Sequence, residues 1–246
     1  MTSATLPAVR RVERVRHELR RRDVEVVDVH DLSPGFVAVT FGGEALADFV
    51  SLSFDDHVKL ILDAGAGEPV RRDYTPRRFS ASERRLTIEF ALHGDGHAST
   101  WARGARGGQR VLIGGPKGSM IIPTDYAWHL LAGDETALPA IRRRLEELPA
   151  GTPVTVIAQA DAADRLPMPS RAQVALRWVA TGAELVDAVR GLDLPASEGF
   201  AWCAGEASCM ADMRQVLLDE KRHPREALRV AAYWKRGASE FHENLA

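Results

Sequence analysis

The chain has 246 residues, of which 45% are hydrophobic and 27% charged, and its formal net charge is −2. These values are typical of a globular protein with a real core, and they give no reason to expect nucleic-acid binding. Two cysteines exclude a disulfide scaffold and argue against an iron–sulfur cluster, which normally needs about four cysteine ligands. We find no secretory signal and no apolar run of about 20 residues, so we expect no membrane span and a cytoplasmic location.

A basic cluster, RRVERVRHELRRR, lies within residues 1–23. Apolar residues recur in it at helical spacing: Val9, Val12, Val15 and Leu19. This spacing predicts a basic amphipathic helix over about residues 8–22. A single apolar stripe among cations is typical of a solvated helix docked on its own protein, and we favour that interpretation over membrane or nucleic-acid binding.

Residues 24–124 have the pattern of an antiparallel barrel. Six short β-rich runs are separated by Gly, Pro, Asp and Ser, and they cover residues 24–30, 35–41, 57–62, 84–93, 111–115 and 119–123. From Leu86 to Leu92 apolar residues alternate with polar or small ones, which is the period of a half-buried strand. Short strands with one helical interruption indicate a closed barrel.

The pattern changes in residues 125–246. Residues 127–132 form a nearly continuous apolar run, as in a strand buried on both faces. Predicted helices and strands then mostly alternate, with helices at 135–148, 183–190 and 206–221 and strands at 153–159, 174–180, 200–205 and 227–234. This order implies a parallel, doubly wound sheet. The predicted fold class is therefore α+β with two domains, an antiparallel β-barrel followed by a doubly wound α/β domain.

Residues 72–77 concentrate side chains that suit a flavin. Two arginines, Tyr74 and Thr75 lie within this segment. A flavin ring packs on aromatic faces, its N5 and O4 atoms accept hydrogen bonds, and its pyrophosphate pairs with guanidinium groups. A basic edge strand with an exposed tyrosine is the alternative, and the residue types alone leave both interpretations open.

Two glycine-rich segments are further candidates. Residues 93–101, HGDGHASTW, predict a loop that opens a short helix, whose N–H groups suit a pyrophosphate. A capped surface turn explains this segment equally well. Residues 114–118 join two strands, and their glycines permit either close approach to a ligand or a tight hairpin.

Three segments of the α/β region are predicted to lie near its ligand-binding edge. Asp134 and Glu135 suit a helix cap but would repel a pyrophosphate, so their turn is not the glycine-rich dinucleotide fingerprint. Gly205 and Glu206 likewise open a predicted helix after a buried strand, and a simple cap explains both turns. Residues 233–236 place two aromatic residues before two cations, which fits either flavin shielding and anion attraction or a solvated strand end.

Jointly, these segments resemble the siderophore-interacting protein family, which is related to ferredoxin-reductase-like flavoproteins. The resemblance runs from about Val24 to Gly237. It rests on the order of the motifs DDHVKL, R-x-Y-T-x-R, HGDGHAS-x-W, IGGPKG, GDETALPAI, W-x-AGE and YWKRG. It implies an FAD-binding barrel over residues 24–124 and an NAD(P)H-binding domain over residues 125–246.

The resemblance also implies the activity and the site residues. Electrons would pass from NADPH, NADH or ferredoxin through FAD to siderophore-bound Fe(III), without a protein metal site. The implied FAD contacts are Arg72, Tyr74, Thr75, His93, Ala98, Ser99, Asp134, Thr136, Ala137, Tyr233 and Trp234. Within this set, Asp134, Thr136 and Ala137 are expected at the adenine end. Gly205 and Glu206 are expected on the nicotinamide side. A basic rim that receives ferric siderophores is expected from Lys59, Arg77, Lys235 and Arg236. His97 stands where the family usually carries proline.

Two other functions remain open from the sequence. One is a general NAD(P)H:flavin oxidoreductase with another acceptor, and the other is a non-catalytic siderophore-binding protein, against which the intact Arg-x-Tyr-Thr segment argues. The nucleotide is open as well. Arg165 and Arg171 follow a predicted strand where the 2′-phosphate of NADPH would bind, whereas Asp161 and Asp164 there favour the free ribose hydroxyl of NADH.

Overall fold

The computed structural model describes residues 12–63, 68–92, 96–238 and 243–245. The strands of the first domain are β1 (Glu13–Arg16), β2 (Arg21–Ser33), β3 (Phe36–Gly42), β4 (Val58–Leu62), β5 (Val70–Tyr74), β6 (Arg78–Ser80), β7 (Arg85–Ala91), β8 (Arg110–Gly114) and β9 (Gly118–Ile121). Helix α1 (His97–Arg103) lies between β7 and β8. β1 and β9 pair with each other, and the remaining strands form one sheet.

That sheet has seven antiparallel strands in the order β5-β4-β8-β2-β3-β7-β6. Its two edge strands, β5 and β6, are joined by only residues 75–77, so the sheet must curl to bring its edges together. Alternate residues of the strands fill its interior, among them Val24, Val39, Leu60, Leu86 and Ile88. The predicted antiparallel barrel is confirmed as this curled half-barrel.

The predicted N-terminal helix is wrong. Within the described residues, Glu13–Arg16 is a strand that pairs antiparallel with β9, and Arg21 already begins β2. The start of the expected helix, before residue 12, lies outside the described residues. A short basic run carries little preference of its own, and β9 offers backbone groups that an added strand satisfies.

The second domain contains β10 (Trp128–Gly133), β11 (Pro153–Gln159), β12 (Gln173–Val179), β13 (Gly199–Glu206), β14 (Leu228–Trp234) and β15 (Glu243–Asn244). Its helices are α2 (Leu138–Glu147), α3 (Gly182–Arg190) and α4 (Ala207–Gln215), the last extended by a π-helical turn over Val216–Glu220. The sheet order is β12-β11-β10-β13-β14-β15; the first five strands are parallel and β15 is antiparallel.

This sheet confirms the predicted doubly wound arrangement. Leu138 and Ile141 of α2 pack on one face, while Leu185 of α3 and Met210 of α4 pack on the other. The chain reverses its direction of winding between β10 and β13. Open α/β sheets bind ligands at such a switch point, outside the carboxyl ends of the strands.

A buried contact fixes the two domains against each other. The Phe54 ring of the first domain meets Trp202 of β13 with ring centroids 5.4 Å apart, and the Arg144 guanidinium lies 4.9 Å from the centre of the Phe54 ring. Beside it, Asp55 accepts hydrogen bonds from Trp202 Nε1 at 2.8 Å and Arg229 Nε at 3.0 Å. No helix among the described residues is long and apolar enough to cross a membrane.

Candidate functional site

A cleft of about 740 Å³ lies between the two domains, at the switch point of the parallel sheet. The first domain contributes β5, β7 and the start of α1, and the second contributes the turn after β10 and the end of β14. The predicted site residues that line the cleft are Lys59, Arg72, Tyr74, Thr75, Ala98, Ser99, Thr136, Tyr233, Trp234, Lys235 and Arg236. Most of the residues singled out from the sequence therefore meet in one place.

The β5 side of the cleft combines an aromatic ring with hydrogen-bond donors. The Tyr74 ring packs against Phe90 with centroids 4.4 Å apart, and burial raises the pKa of its hydroxyl above the usual range, so the phenol stays neutral. Arg72 Nη1 donates to the carbonyl of Arg71 at 2.8 Å, and Thr75 is buried at the end of the strand.

The start of α1 closes another side of the cleft. Ala98 and Ser99 are buried in its first turn and line the cavity. The backbone N–H groups of a first helical turn lack intrahelical partners, which makes them donors for an anionic ligand. His93 lies outside the described residues, so its expected contact stays a prediction.

Asp134 has a different place from the expected one. It is 3% exposed, and its carboxylate accepts four hydrogen bonds from within the protein. Oδ1 accepts from Thr136 N at 3.0 Å and Thr136 Oγ1 at 2.6 Å, and Oδ2 accepts from Glu206 N at 2.8 Å and Trp234 Nε1 at 2.9 Å. Ala137 is fully buried behind this turn. Of the three residues expected at the adenine end, only Thr136 lines the cleft, since Ala137 is buried and Asp134 borders a second cavity.

A second cavity, of about 530 Å³, adjoins the first at the same edge of the sheet. Glu206 lies on its wall and caps α4 by accepting from Ser208 N at 2.7 Å and Cys209 N at 3.3 Å. Gly205, also expected here, is not among its lining residues. Trp234 and Arg236 line both cavities. The two cavities therefore adjoin each other at these two residues.

An unusual carboxyl group lies on this second cavity. Burial raises the pKa of Glu135 to about 7, and the nearby carboxylates of Asp134, Asp161 and Asp164 act in the same direction. The side chain therefore exchanges its proton near neutral pH. This environment was not evident from the sequence, in which Glu135 has only the character of a helix cap.

Three of the four residues expected in a basic rim line the cleft, and their role toward a substrate stays a prediction. Lys235 and Arg236 are exposed on the cleft, and Lys59 lies there with its Nζ 2.8 Å from Asp73. Arg77 is wrong as a rim residue, because it is 1% exposed. Its guanidinium lies 3.2 Å from Glu89 and 2.6 Å from Glu146 of α2, an ion-pair cluster that joins the two domains.

Several residues of the cleft were not singled out from the sequence. They are His57, Arg71, Asp73, Glu89, Ala91, Gly96, Pro139, Gly237 and Ala238; His97, noted for its departure from the family pattern, also lines the cleft. Arg71 and Asp73 adjoin or belong to the flavin-suited segment, and His57 and Pro139 belong to quoted motifs, so proximity could have indicated them. Glu89 gave no such signal.

Comparison with known proteins tests the family resemblance found in the sequence. Residues 25–70 and 63–120 match the siderophore-interacting FAD-binding domain, and residues 126–237 match the siderophore-interacting protein model. The NADPH-dependent ferric-chelate reductase of Escherichia coli K12 is 34% identical over 245 residues, covering 90% of this chain and 96% of its own. The chain belongs to the siderophore-interacting protein family.

Two further family members support this assignment. The ferric vibriobactin reductase of Vibrio cholerae is 29% identical, with 86% of this chain and 89% of its own covered. The crystal structure of a siderophore utilization protein from T. fusca has a TM-score of 0.86 and 32% identity, and the match covers 93% of this chain and 98% of that one. The likeness thus includes both domains and the cleft between them.

The residues of the cleft fit the FAD that the family implies. An aromatic ring, two neighbouring guanidinium groups, the hydroxyl groups of Thr75 and Ser99 and the first-turn N–H groups of α1 line one continuous cavity. This donor set matches an apolar ring system linked to a pyrophosphate. The first domain is therefore an FAD-binding domain in its sequence and in the chemistry of its cleft.

Proposed function

We propose that this protein is an FAD-dependent ferric-siderophore reductase that takes electrons from NADPH or NADH and delivers them to siderophore-bound Fe(III). The proposal rests on one observation: the flavin-suited residues and the cations Lys235 and Arg236 line the same cleft. The names of the E. coli and V. cholerae relatives, a ferric-chelate reductase and a ferric vibriobactin reductase, support it.

FAD, when bound, accepts a hydride and gives up electrons singly, which is the conversion that Fe(III) requires. The protein's residues bind and orient the reactants. Arg72 and the first turn of α1 are assigned to the anionic part of FAD, and Tyr74 and Thr75 to its ring system. Because Tyr74 is neutral and held by Phe90, it offers a fixed aromatic surface without adding charge.

The exposed cations attract the substrate. Ferric siderophores are often anionic, and positive charges at the mouth of a cleft raise the local concentration of anions. Lys235 and Arg236 are exposed just after β14, and Lys59, whose Nζ pairs with Asp73, lies on the same cleft. Release of iron follows from its reduction, because siderophores hold Fe(II) far less tightly than Fe(III).

The second cavity is assigned to the electron donor, because it meets the first at Trp234 and Arg236. NADPH is supported by the name of the E. coli relative, and NADH remains its competitor. Ferredoxin in place of the nucleotide stays a prediction without a supporting contact. A cytoplasmic location would supply either nucleotide and keep both cysteines reduced.

Anaerobic titration with NADPH or NADH tests the proposal. Purified protein is expected to be yellow, to lose its flavin absorption on addition of the donor, and to release Fe(II) from a ferric siderophore into an Fe(II) chelator. Lys235→Glu should slow the siderophore step at low salt while flavin content stays unchanged. Protein that takes up no FAD would contradict the proposal, and reduction of artificial acceptors alone would favour a general flavin oxidoreductase.

A further inference from the structure

Trp234 separates the two cavities of the site. Its side chain lines both the interdomain cleft and the second cavity, and it is half-buried at the end of β14. If the donor occupies one cavity and FAD the other, their reactive parts must meet beside this indole. The position of Trp234 therefore decides how well they align, since small misplacements of reacting groups cost much of the rate.

Asp134 holds Trp234 in that position. Its Oδ2 accepts the indole N–H at 2.9 Å and also the backbone N–H of Glu206 at 2.8 Å. Its Oδ1 is fixed in turn by Thr136 N and Thr136 Oγ1. A carboxylate held by four donors cannot rotate without losing several of them. Asp134 thus ties the carboxyl ends of β10, β13 and β14 to one point.

The backbone around Asp134 leaves room for this carboxylate. Gly205 has φ +155, and a Cβ there would lie 2.6 Å from Asp134 Oδ2. A Cβ on Gly133 would lie 2.4 Å from the carbonyl oxygen of Ala204 on the neighbouring strand. Both positions therefore need glycine for Asp134 to sit between β10 and β13.

A second carboxylate supports the same segment. Glu206 Oε1 accepts from Arg236 N at 3.2 Å, while its Oε2 caps α4. The two residues that line both cavities, Trp234 and Arg236, are therefore each held by a carboxylate, from the turn after β10 and from the end of β13 respectively. Of these two carboxylates, that of Asp134 is buried and accepts a hydrogen bond from a side chain, whereas that of Glu206 accepts from the backbone of Arg236.

We propose that Asp134 is a positioning residue, which fixes the Trp234 indole between the donor cavity and the flavin cleft and so sets the alignment for electron transfer to FAD. The kinetic part of this inference rests on the proposed function, but the positioning of Trp234 does not. This role differs from the expected contact with the adenine of FAD. Each oxygen of the Asp134 carboxylate already accepts two hydrogen bonds within the protein, so neither is left to accept one from adenine.

Asp134→Asn tests the proposal with almost no change in size. The amide has one acceptor oxygen, so its NH₂ group must face either the indole or Thr136 N. The first orientation removes the acceptor of the indole, and the second sets two donors against each other at Thr136 and so displaces that acceptor. In FAD-loaded protein labelled with 5-fluorotryptophan, the chain's five tryptophans give separate ¹⁹F signals, and Trp234→Phe assigns the one from Trp234. We expect Asp134→Asn to shift or broaden that signal and to change the signal of Trp202 little.

The same variant should slow the limiting rate of flavin reduction in anaerobic stopped flow. Because this hydrogen bond fixes the indole, its loss or displacement should slow this step on the order of tenfold. FAD affinity, measured by fluorescence titration, should stay within about threefold. In the Trp234→Phe background, which has no indole N–H, Asp134→Asn should have much less effect, because two mutations that act through one contact are not additive.

Asp56→Asn is the matched control. Asp56 is also a buried carboxylate with uncharged donors, Ser51 Oγ at 2.9 Å and Ser119 Oγ at 2.7 Å, but it lies outside both cavities. It should lower stability without moving the Trp234 signal or the limiting rate. An unmoved Trp234 signal in Asp134→Asn, or an equal loss of rate in the Trp234→Phe background, would overturn the proposal. If neither NADPH nor NADH reduces the FAD-loaded wild type, the proposed function is refuted. The ¹⁹F comparison would still show whether Asp134 positions the Trp234 indole.

Discussion

At the scale of single residues, Arg77 shows that a cation in a functional motif can have a structural role. Its buried guanidinium joins Glu89 of the barrel to Glu146 of α2. Arg77→Ala would remove the buried guanidinium between these carboxylates and leave Glu89 with Arg142 and Glu146 with Arg78. The loss of hydrogen bonds to charged groups should cost about 1.5–3 kcal/mol of unfolding free energy. Urea denaturation measures this loss.

Arg78→Ala is the control for that prediction. Arg78 also pairs with Glu146, at 3.0 Å, but its side chain is 65% exposed. An exposed pair contributes only about 0–1 kcal/mol, so this variant should be nearly as stable as the wild type. Full stability of Arg77→Ala together with weaker siderophore reduction would restore Arg77 to the substrate rim.

Glu135 gives the stability of the protein a specific pH dependence. Burial and neighbouring carboxylates raise its pKa from 4.5 to about 7 in the folded state. Between these values the folded protein holds more protons on this group than the unfolded chain, so its contribution to stability falls as pH rises. Unfolding free energies of wild type and Glu135→Gln, measured across this window, should therefore shift in favour of Glu135→Gln with increasing pH.

His129 acts in the opposite direction over part of the same window. Burial, together with the nearby Arg144 charge, lowers its pKa from 6.5 to about 4. The unfolded chain then holds more protons on this group, so its contribution makes stability increase with pH between about 4 and 6.5. We therefore predict the difference in unfolding free energy between wild type and Glu135→Gln, because both proteins contain His129 and its contribution cancels. A difference that does not change with pH would contradict the prediction for Glu135.

At the scale of elements, the successful predictions came from long, regular patterns of apolar residues. The alternating run in β7 and the continuous apolar run in β10 differ in period because one face or both faces of the strand are buried. The helices that pack on the parallel sheet were predicted from another pattern, in which apolar residues recur on one side of the helix. The short strands β1 and β6 were not, because so few residues have little pattern and their pairing depends on β9 and β7.

The site followed a similar division. Tyr74 and Ser99 were identified because their motifs are contiguous in sequence. The burial of Arg77 and Asp134 was not, because their partners come from other strands and helices, 69 and 100 positions away for Glu146 and Trp234. Contacts between distant elements decide whether a charged side chain faces a ligand or the interior.

The close approach of β10 and β13 gives a prediction at this scale. A Cβ on Gly133 would lie 2.4 Å from both Ala137 Cβ and the Ala204 carbonyl oxygen, whereas a Cβ on Gly96 would meet nothing within 4 Å. Gly133→Ala should lower unfolding free energy by about 1–3 kcal/mol, as overpacking does. Gly96→Ala, measured alongside, should be nearly neutral, and equal effects of the two variants would contradict the close approach.

At the scale of the whole molecule, the site exists only while the two domains stay together. The flavin-suited residues belong mainly to the barrel, whereas Thr136 and the end of β14 belong to the parallel sheet. Asp55 is central to the junction, since it accepts from both Trp202 and Arg229 in a buried setting. The same contacts that hold the domains thereby determine the shape of the cleft.

Asp55→Ala is expected to weaken the whole molecule. It leaves the buried Arg229 guanidinium without its carboxylate and removes the acceptor of the Trp202 indole, a loss of about 3–5 kcal/mol. For a chain of this size, calorimetry should show the melting temperature lower by roughly 10 °C. Asp23→Ala, which removes a 57% exposed carboxylate from the 55% exposed Arg110, should change it little. The wild type should unfold in one transition, because the junction couples the domains; two separate transitions in the wild type would show that each domain is stable alone and that the cleft can open without unfolding.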